Sequence, residues 1–334
     1  MLELKLYPPR SPVAQREAWI RAAVTTGQGD PFCCAPEWQM SYHEAFNPGR
    51  RLLIEASGGN VLAFAEHAPS PDEIFLTPIE AHWCFGCPLL GHDAVPLFEE
   101  LLPEIERRYA PRFPRIVISG VRPDGPLPAR LIRAFADRFD FYLLASSEQC
   151  GASLEGGLDG FLSRRSANHR KKLRKQRKRT QEQGVTFERH APVAESEAAE
   201  VYARMLDVES RSWKGIGRCG MAETPALEFY DAMMRRLALL NGSRIIFARR
   251  DGRDIGFIFG GLAGAVYRGQ QFSYDDEWKE FSIGNLMQVE QVGWLCEEGA
   301  ARYDMGPLSG PKMGYKSHWT ENRVRIETWA LIRR

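Results

Sequence analysis

Two short stretches hold residue types that could bind an anion and stabilise negative charge. Ser282-Ile283-Gly284-Asn285-Leu286 opens an apolar run that ends at Gly299, and Tyr315-Lys316 follows a Gly/Pro-rich loop. Ser282 is a good N-cap and Gly299 a good stop, so the spacing predicts a helix of about four turns. A helix N-terminus presents unpaired N–H groups and a partial positive charge, which suit a phosphate. Gly284 has no Cβ and would let an anion approach the backbone. A plain N-cap has the same local pattern. A fixed positive donor lowers the barrier of any step that builds negative charge on an oxygen. Lys316, beside Tyr315, is the candidate for that donor. The competing reading is a surface lysine whose stem lies on apolar neighbours. An attacking amine must also lose a proton. Asp275, Asp304 and His318 are the residues that could take it. Each also has a structural reading, as a turn residue, a strand-end cap and a surface group respectively.

Arg211 and Trp213 end a predicted helix. Arginine can grip a carboxylate or phosphate bidentately. Tryptophan can wall an acceptor pocket, although core packing is its commoner use. Tyr274 and Asp275 join them as expected substrate contacts. A separate feature is Arg164 to Arg179, with ten Lys or Arg in sixteen residues and no acid. The net charge is +1, so the remainder of the chain sums to −9. Leu173 is the only large apolar residue between Ser163 and Thr180, so a helix here cannot bury a full apolar stripe. It is either a solvated helix or a dock for an anion such as a nucleotide sugar, tRNA, polysaccharide or lipid head group. No aromatic residue is interleaved to stack bases. Cys84-x-x-Cys87, with His82 nearby, would be half a zinc site. No second Cys-x-x-Cys exists, so free thiols and no metal are expected. Cys296 is the only cysteine between Asp275 and Lys316, which argues against a covalent acyl-enzyme.

These residues need elements to hold them. At 334 residues the chain can form two domains of ordinary size. Composition is that of a soluble globular protein, with 44% hydrophobic and 26% charged residues. The start, MLELKLYPPRSP, lacks the pattern of a secretory signal, which makes the cytoplasm the expected location. No apolar run reaches the roughly 20 residues that span a bilayer. Seven scattered cysteines predict no disulfide framework. In order, the first half reads as a short strand at LELKLY, a helix around Gln15 to Val24, and a helix from near Pro36. A hairpin about Ser57-Gly58-Gly59-Asn60 follows, then an irregular Pro/Gly-rich stretch at 69–92. Next come a helix over Leu97 to Tyr109, a strand RIVISGV, a helix ARLIRAFADRF and a strand FYLLASS. Gly156-Gly157 marks the junction, giving expected domains 1–155 and 156–334. The second half reads as the basic helical stretch, a strand VTFERH, a helix Val193 to Trp213, and a Gly-rich, mobile Lys214 to Ala222. A helix Leu227 to Leu240 and a hairpin about Asp251-Gly252 follow. Then Ile255 to Tyr267, thirteen residues without a charge, reads as a buried strand or tight strand pair. The helix from Ser282, a strand ARYDMG and the Tyr-Lys pair close the order. No internal repeat is visible.

With these pieces in order, the second half resembles the CelD/BcsL-like acetyltransferases, named for cellulose biosynthesis. That group lies within the GNAT acyltransferases and is related to the Fem-type aminoacyl transferases. The pieces are RRSANHRKKLRKQRKRTQEQGVTFERH, SRSWKGIG, ALEFYDAMMRRLA, RIIFARRDGRDIGFIFGG, YDDEWKEFSIGNLM, GARYDMG and YKSHW. The resemblance runs from about Leu158 to the end, and weakly through DPFCCAPEWQ. It implies an α/β fold of two tandem GNAT-like (acyl-CoA N-acyltransferase) domains with mixed sheets, the second carrying the acyl-donor site. It further implies that Ser282 to Leu286 cradle the donor pyrophosphate and that Lys316 faces the oxyanion, as in the aromatic-Lys pair of Fem-type enzymes. The chain departs from the usual Gln/Arg-x-x-Gly-x-Gly/Ala loop, since Lys279 to Asn285 keeps only small residues at 282 and 284. The function so implied is N-acyl transfer from acetyl-CoA or another acyl-CoA to a small-molecule or saccharide-linked amine in polysaccharide or cell-envelope biosynthesis. The alternatives are a Fem-type transferase drawing on aminoacyl-tRNA and a non-catalytic anion-binding protein on the same scaffold.

Overall fold

The structure, a computed structural model, describes residues 13–27, 29–70, 72–308 and 313–334. The strand expected at LELKLY and most of the Gly/Pro loop before Lys316 lie outside those residues. The chain forms two units, one of residues 1–148 with 324–334, the other of 149–323. The sequence-based boundary lies at 155/156 and assigns the last eleven residues to the second domain.

The first unit opens with α1 (Val13–Thr25), α2 (Pro31–Cys34) and α3 (Pro36–Phe46). The strands β1 (Leu52–Ser57) and β2 (Asn60–Ser70) follow. They form the expected hairpin, with Ser57 opposite Asn60. Gly58 and Gly59 both take positive φ in its two-residue turn, the geometry that matches the strand twist. The stretch 69–92 is not irregular throughout. EIFLTP forms β3 (Glu73–Pro78), and Leu89–Leu90 form the short β4. Isoleucine, phenylalanine and threonine are good strand formers, and the flanking prolines masked them in the sequence. Then come α4 (Ala94–Tyr109), β5 (Arg115–Val121), α5 (Pro126–Phe135) and β6 (Phe139–Ser153). The strand order of this unit is β1-β2-β3-β5-β12-β6, where β12 is the C-terminal strand Asn322–Arg333. β12 was not foreseen, because RVRIETWALIRR alternates charge and apolar residues only in part. β3 runs parallel to β5, with Phe75 beside Arg115 and Leu76 beside Ile116.

The second unit contains α6 (Gly157–Ser163), α7 (Ala167–Glu182), β7 (Thr186–His190), α8 (Glu195–Ser210), α9 (Trp213–Ile216) and α10 (Ala226–Ala238). β8 (Ser243–Arg250), β9 (Arg253–Ala263) and β10 (Val266–Tyr274) then form an antiparallel meander. The uncharged run from Ile255 is thus a strand pair that turns at Gly264. A 3-10 turn (Asp276–Phe281), α11 (Ile283–Glu297), β11 (Arg302–Pro307) and a second 3-10 turn (Gly314–His318) complete it. Its strand order starts at the last residues of β6 and runs β6-β11-β10-β9-β8-β7. The basic stretch is two helices, because the Ser166 hydroxyl accepts from the His169 N–H and starts α7 afresh. As the sequence required, α7 buries only Leu173 and Thr180.

α11 is apolar nearly all round and buries ten of its fifteen residues, so it packs on the sheet as a core helix. It crosses from β10 to β11, which makes those two strands parallel neighbours. This crossover positions the site.

Candidate acyl-transfer site

β10 and β11 pair over only three positions, Val266 with Arg302, Tyr267 with Tyr303 and Arg268 with Asp304. Beyond Arg268 the register of β10 against β9 shifts at a bulge between Gly269 and Gln271. A bulge adds local twist and bend, and here it marks the point where β10 parts from β11. An open cleft of about 1060 Å³, its solvent mouth included, is lined by residues of the parted β10, of α11 and of the second 3-10 turn. Its walls are Trp213, Phe272, Tyr274, Tyr315 and Trp319, with Lys279, Ser282, Gly284, Asn285 and Gln288 supplying polar groups. An aromatic slot with a few convergent polar groups is the usual make-up of a small-ligand site.

Ser282 stands at the N-cap position but its side chain caps nothing, a difference from the sequence-based expectation. Its φ of 57° turns the hydroxyl away, and that hydroxyl accepts from Gln176 Nε2 of α7 at 2.6 Å. No serine side chain therefore caps the first N–H groups of α11, although the Asn285 N–H donates to the Ser282 carbonyl at 3.0 Å, and Gly284 faces the cleft among the lining residues. A Cβ on Gly284 would meet the Phe272 ring at 3.0 Å and the Tyr274 ring at 3.3 Å. The glycine thus lets two aromatic walls close on the helix. Asn285 lines the cleft, Ile283 is fully buried beneath it, and Leu286 faces another groove, between α7 and α11.

Tyr315 packs edge-on against Phe272 with ring centroids 5.7 Å apart. Burial pushes its hydroxyl up to about 12. Lys316 is buried and does not line the cleft; its Nζ donates to the Pro307 carbonyl at 2.8 Å. Burial first, and Arg268 second, push its ammonium down to about 8. The surface-lysine reading therefore fails. Arg268 is buried at the vertex, donates to Gln149 Oε1 at 2.8 Å, and packs so tightly on Gly306 that a Cβ there would lie 2.6 Å from its Nη2. Two buried cations thus lie near the vertex from which the cleft opens.

Three of the other expected residues, Arg211, Asp275 and Asp304, are held in internal ion pairs. Arg211 pairs with Asp207 at 2.7 Å and Asp275 at 3.0 Å, and donates to the Asp254 carbonyl. Asp275 also pairs with Arg253 and accepts from the Glu277 N–H. Asp304 pairs with Arg302 at 2.7 Å. His318 is exposed and stacks on His169. None of these four lines the cleft, whereas Trp213 and Tyr274 do. Trp213 is 43% exposed, so it is a wall and not a core residue.

Lys214 is a residue that sequence reasoning missed. Its Nζ donates to Gln271 Oε1 at 2.6 Å and to the Phe272 carbonyl at 2.9 Å, and burial pushes it down to about 8. Lys214 thus holds β10 just past the bulge, as Lys316 holds the end of β11. The signal was present in SRSWKGIG, where a lysine follows the tryptophan wall. The end of the Gly-rich segment after it is packed, although residues 216–219 are exposed. Glu209, fully buried, accepts from the Met221 N–H and from Ser273 Oγ, and a Cβ on Gly220 would lie 2.6 Å from its carboxylate. The described cysteines are all free thiols, and no group of three or more metal-binding side chains occurs among the described residues.

With this geometry in hand, comparison with known proteins is direct. Residues 167–317 match the acetyltransferase (GNAT) domain. The second unit is therefore an acyltransferase domain of the GNAT type. No curated protein matches the chain. Among solved structures, FemX superposes with a TM-score of 0.66 at 12% identity, covering 93% of this chain and 95% of FemX. A conserved protein of unknown function from Bacteroides thetaiotaomicron gives 0.65 at 10% identity, over 99% of this chain and 100% of its own. L-PGS from Bacillus licheniformis gives 0.59 at 15% identity, over 96% and 91%. At such identities the likeness is one of fold. It extends through both units, which are tandem GNAT-like domains built on mixed sheets.

Proposed function

We propose that the cleft transfers an acyl group from acyl-CoA directly to an amine acceptor. The observation that carries this is the parting of β10 from β11 over the N-terminus of α11. An opened strand offers backbone groups to an extended ligand with amides of its own, and coenzyme A has such a pantetheine arm. The N–H groups of α11 suit its pyrophosphate, with Lys279 at the rim. Tyr315 stays protonated at every working pH, so it serves as a hydrogen-bond donor to the developing oxyanion or the departing sulfur. Lys316 and Arg268 act from behind it, as buried positive charge near the vertex. Transfer in a single step is supported by the thiols. Burial pushes Cys150 and Cys296 up, and no cysteine lines the cleft. Among the described residues no carboxylate or imidazole lines the cleft either, so the amine enters already deprotonated or gives its proton to water. Asp304 and Asp275, expected as base and substrate contact, support the site through their ion pairs. The narrower reading, with a CelD/BcsL-like role and a saccharide-linked amine, rests on the order of the sequence motifs.

A Fem-type reaction with aminoacyl-tRNA is the second reading. The fold shared with FemX and the loop with Ser282 in place of its first usual glycine favour it. Calorimetry with acetyl-CoA, then with charged tRNA, separates the two. Micromolar binding of acetyl-CoA, with thiol release once an amine is added, is the expected result. Binding of charged tRNA alone would overturn it.

A further inference from the structure

A second apolar site lies along α11, where α6 and α7 pack beside it. Leu162 of α6, Leu173 of α7, and Leu286 and Val289 of α11 line a groove of about 520 Å³, its open side included. Arg170, Arg174 and Arg177 line it with them. Two of these arginines are fixed. Arg170 donates to the carbonyls of Ser163 and Arg165, and Arg177 pairs with Glu290. Arg174 has no ion pair or hydrogen bond among the described residues. The same is true of Lys171, Lys172, Lys175 and Lys178, all exposed on the outer face of α7. One helix therefore presents five unpartnered cations beside a slot of hydrocarbon.

A nucleic acid would use the cations but leave the slot unfilled, and α7 carries no aromatic ring for a base to stack on. A small anion would need neither the slot nor five charges. An amphiphile with an anionic head uses both, as in basic helices that lie on membrane surfaces. We propose that this face docks on an anionic phospholipid bilayer. One acyl chain enters the groove between α6, α7 and α11, its phosphate meets Arg174 and Arg170, and neighbouring head groups meet the lysines. The docking surface does not depend on which acyl donor the cleft uses. It would bring the cleft, which α11 also lines, close to acceptors held at a membrane.

The test is co-sedimentation with vesicles of phosphatidylcholine alone and with about one third phosphatidylglycerol, at roughly 0.1 M salt. Only the anionic vesicles should carry the protein down. The triple variant Arg174→Glu/Lys175→Glu/Lys178→Glu touches no internal partner, so it should keep its melting temperature and bind on the order of 10²-fold more weakly. Leu162→Gln, with Leu162→Ala as the milder control, should weaken binding several-fold without changing its salt dependence. Equal binding to both vesicle types, or an unaffected triple variant, would overturn the proposal. If the Leu162 variants bind as wild type, the groove holds no acyl chain. Displacement of the protein from vesicles by total tRNA at lower concentration would assign the face to RNA instead.

Discussion

The two units share one plan and use it differently. In each, three antiparallel strands are followed by a helix and then by a strand parallel to the third. In the first unit these are β1-β2-β3, α4 and β5; in the second, β8-β9-β10, α11 and β11. The first unit fills the end of its parallel pair with its own chain. The Glu80 carboxylate accepts from the N–H groups of Trp83, Cys84 and Phe85, and Ser119 Oγ donates to the Gly86 carbonyl. That segment presses on Gly120 of β5, where a Cβ would lie 2.7 Å from Gly86 C and Phe85 O. In the second unit the corresponding place is the open cleft, and lysines hold the parted strands. One fold thus yields a closed structural unit or a binding site, and the segment after the third strand decides between them. A buried carboxylate with three N–H partners makes a plug. A six-residue 3-10 turn leaves the wedge open.

The strongest challenge to that contrast is to fill the open wedge. Gly284→Val would push the Phe272 and Tyr274 rings into the cleft. Acyl-CoA affinity should fall by about 10²–10³-fold, as expected when the close approach to a helix N-terminus is blocked. The melting temperature should change little, since the rings can move into open space. Calorimetry on the folded variant decides, and unchanged affinity would remove α11 from the donor site.

The converse variant disturbs the plug. Gly120 has φ +63° and its missing Cβ is packed against backbone, so Gly120→Ala combines backbone strain with overpacking. A loss of roughly 2–4 kcal/mol is expected, with acyl-CoA affinity of any folded protein preserved. Denaturant titration and calorimetry together check both halves of this prediction.

Lys316 sharpens the comparison through pH. Its pKa falls from 10.5 to about 8 in the folded chain. Below pH 8 the lysine is protonated whether the chain is folded or not. Between pH 8 and 10.5 the unfolded chain keeps a proton that the folded chain has lost, so this contribution to stability rises with pH. The charged lysine therefore costs stability at neutral pH, by roughly 2–3 kcal/mol before its hydrogen bond to Pro307 is counted. Lys316→Met should gain on the wild type at pH 7 and lose that advantage by about pH 10. A difference independent of pH would mean the ammonium is well solvated. The same variant tests chemistry, since loss of buried charge near the oxyanion should lower kcat more than donor binding.

Much of this was legible in the sequence because helices and strands announce themselves by period. α11, β11, the hairpin about Asp251-Gly252 and the basic helix all stand where the pattern set them, and the uncharged run from Ile255, read as a strand or a strand pair, is the pair. The elements that stayed hidden depend on long-range contacts. β3 lay behind prolines, and β12 joins the first unit from the far end of the chain. The shared plan of the two units left no repeat in the residues, because a strand needs only apolar alternation. Of the expected site residues, Gly284, Tyr315, Trp213 and Tyr274 line the candidate cleft, and small and aromatic residues beside helix ends and loops stand out in a sequence. Arg211, Asp275 and Asp304 were read as reactive because charge stands out equally, yet tertiary pairing had consumed theirs. Lys214 was missed because only the parted strand shows that the Phe272 carbonyl wants a donor.

The smallest expected effect links α7 to the cleft. Gln176 of α7 donates to Ser282 Oγ at 2.6 Å, directly at the lip of the cleft. This bond holds Ser282 in its left-handed conformation, which turns the hydroxyl from the helix it would otherwise cap. Gln176→Ala removes the donor and leaves the hydroxyl free to seek the first N–H groups of α11, in competition with a bound phosphate. One side-chain hydrogen bond of this kind contributes about 1 kcal/mol. Acyl-CoA affinity should therefore fall by about three- to tenfold. Because the hydroxyl is the competitor, Gln176→Ala combined with Ser282→Ala should recover most of the loss. Recovery in the double variant would establish that α7 tunes the donor site through this one contact. Additive losses would mean instead that Ser282 itself binds the donor.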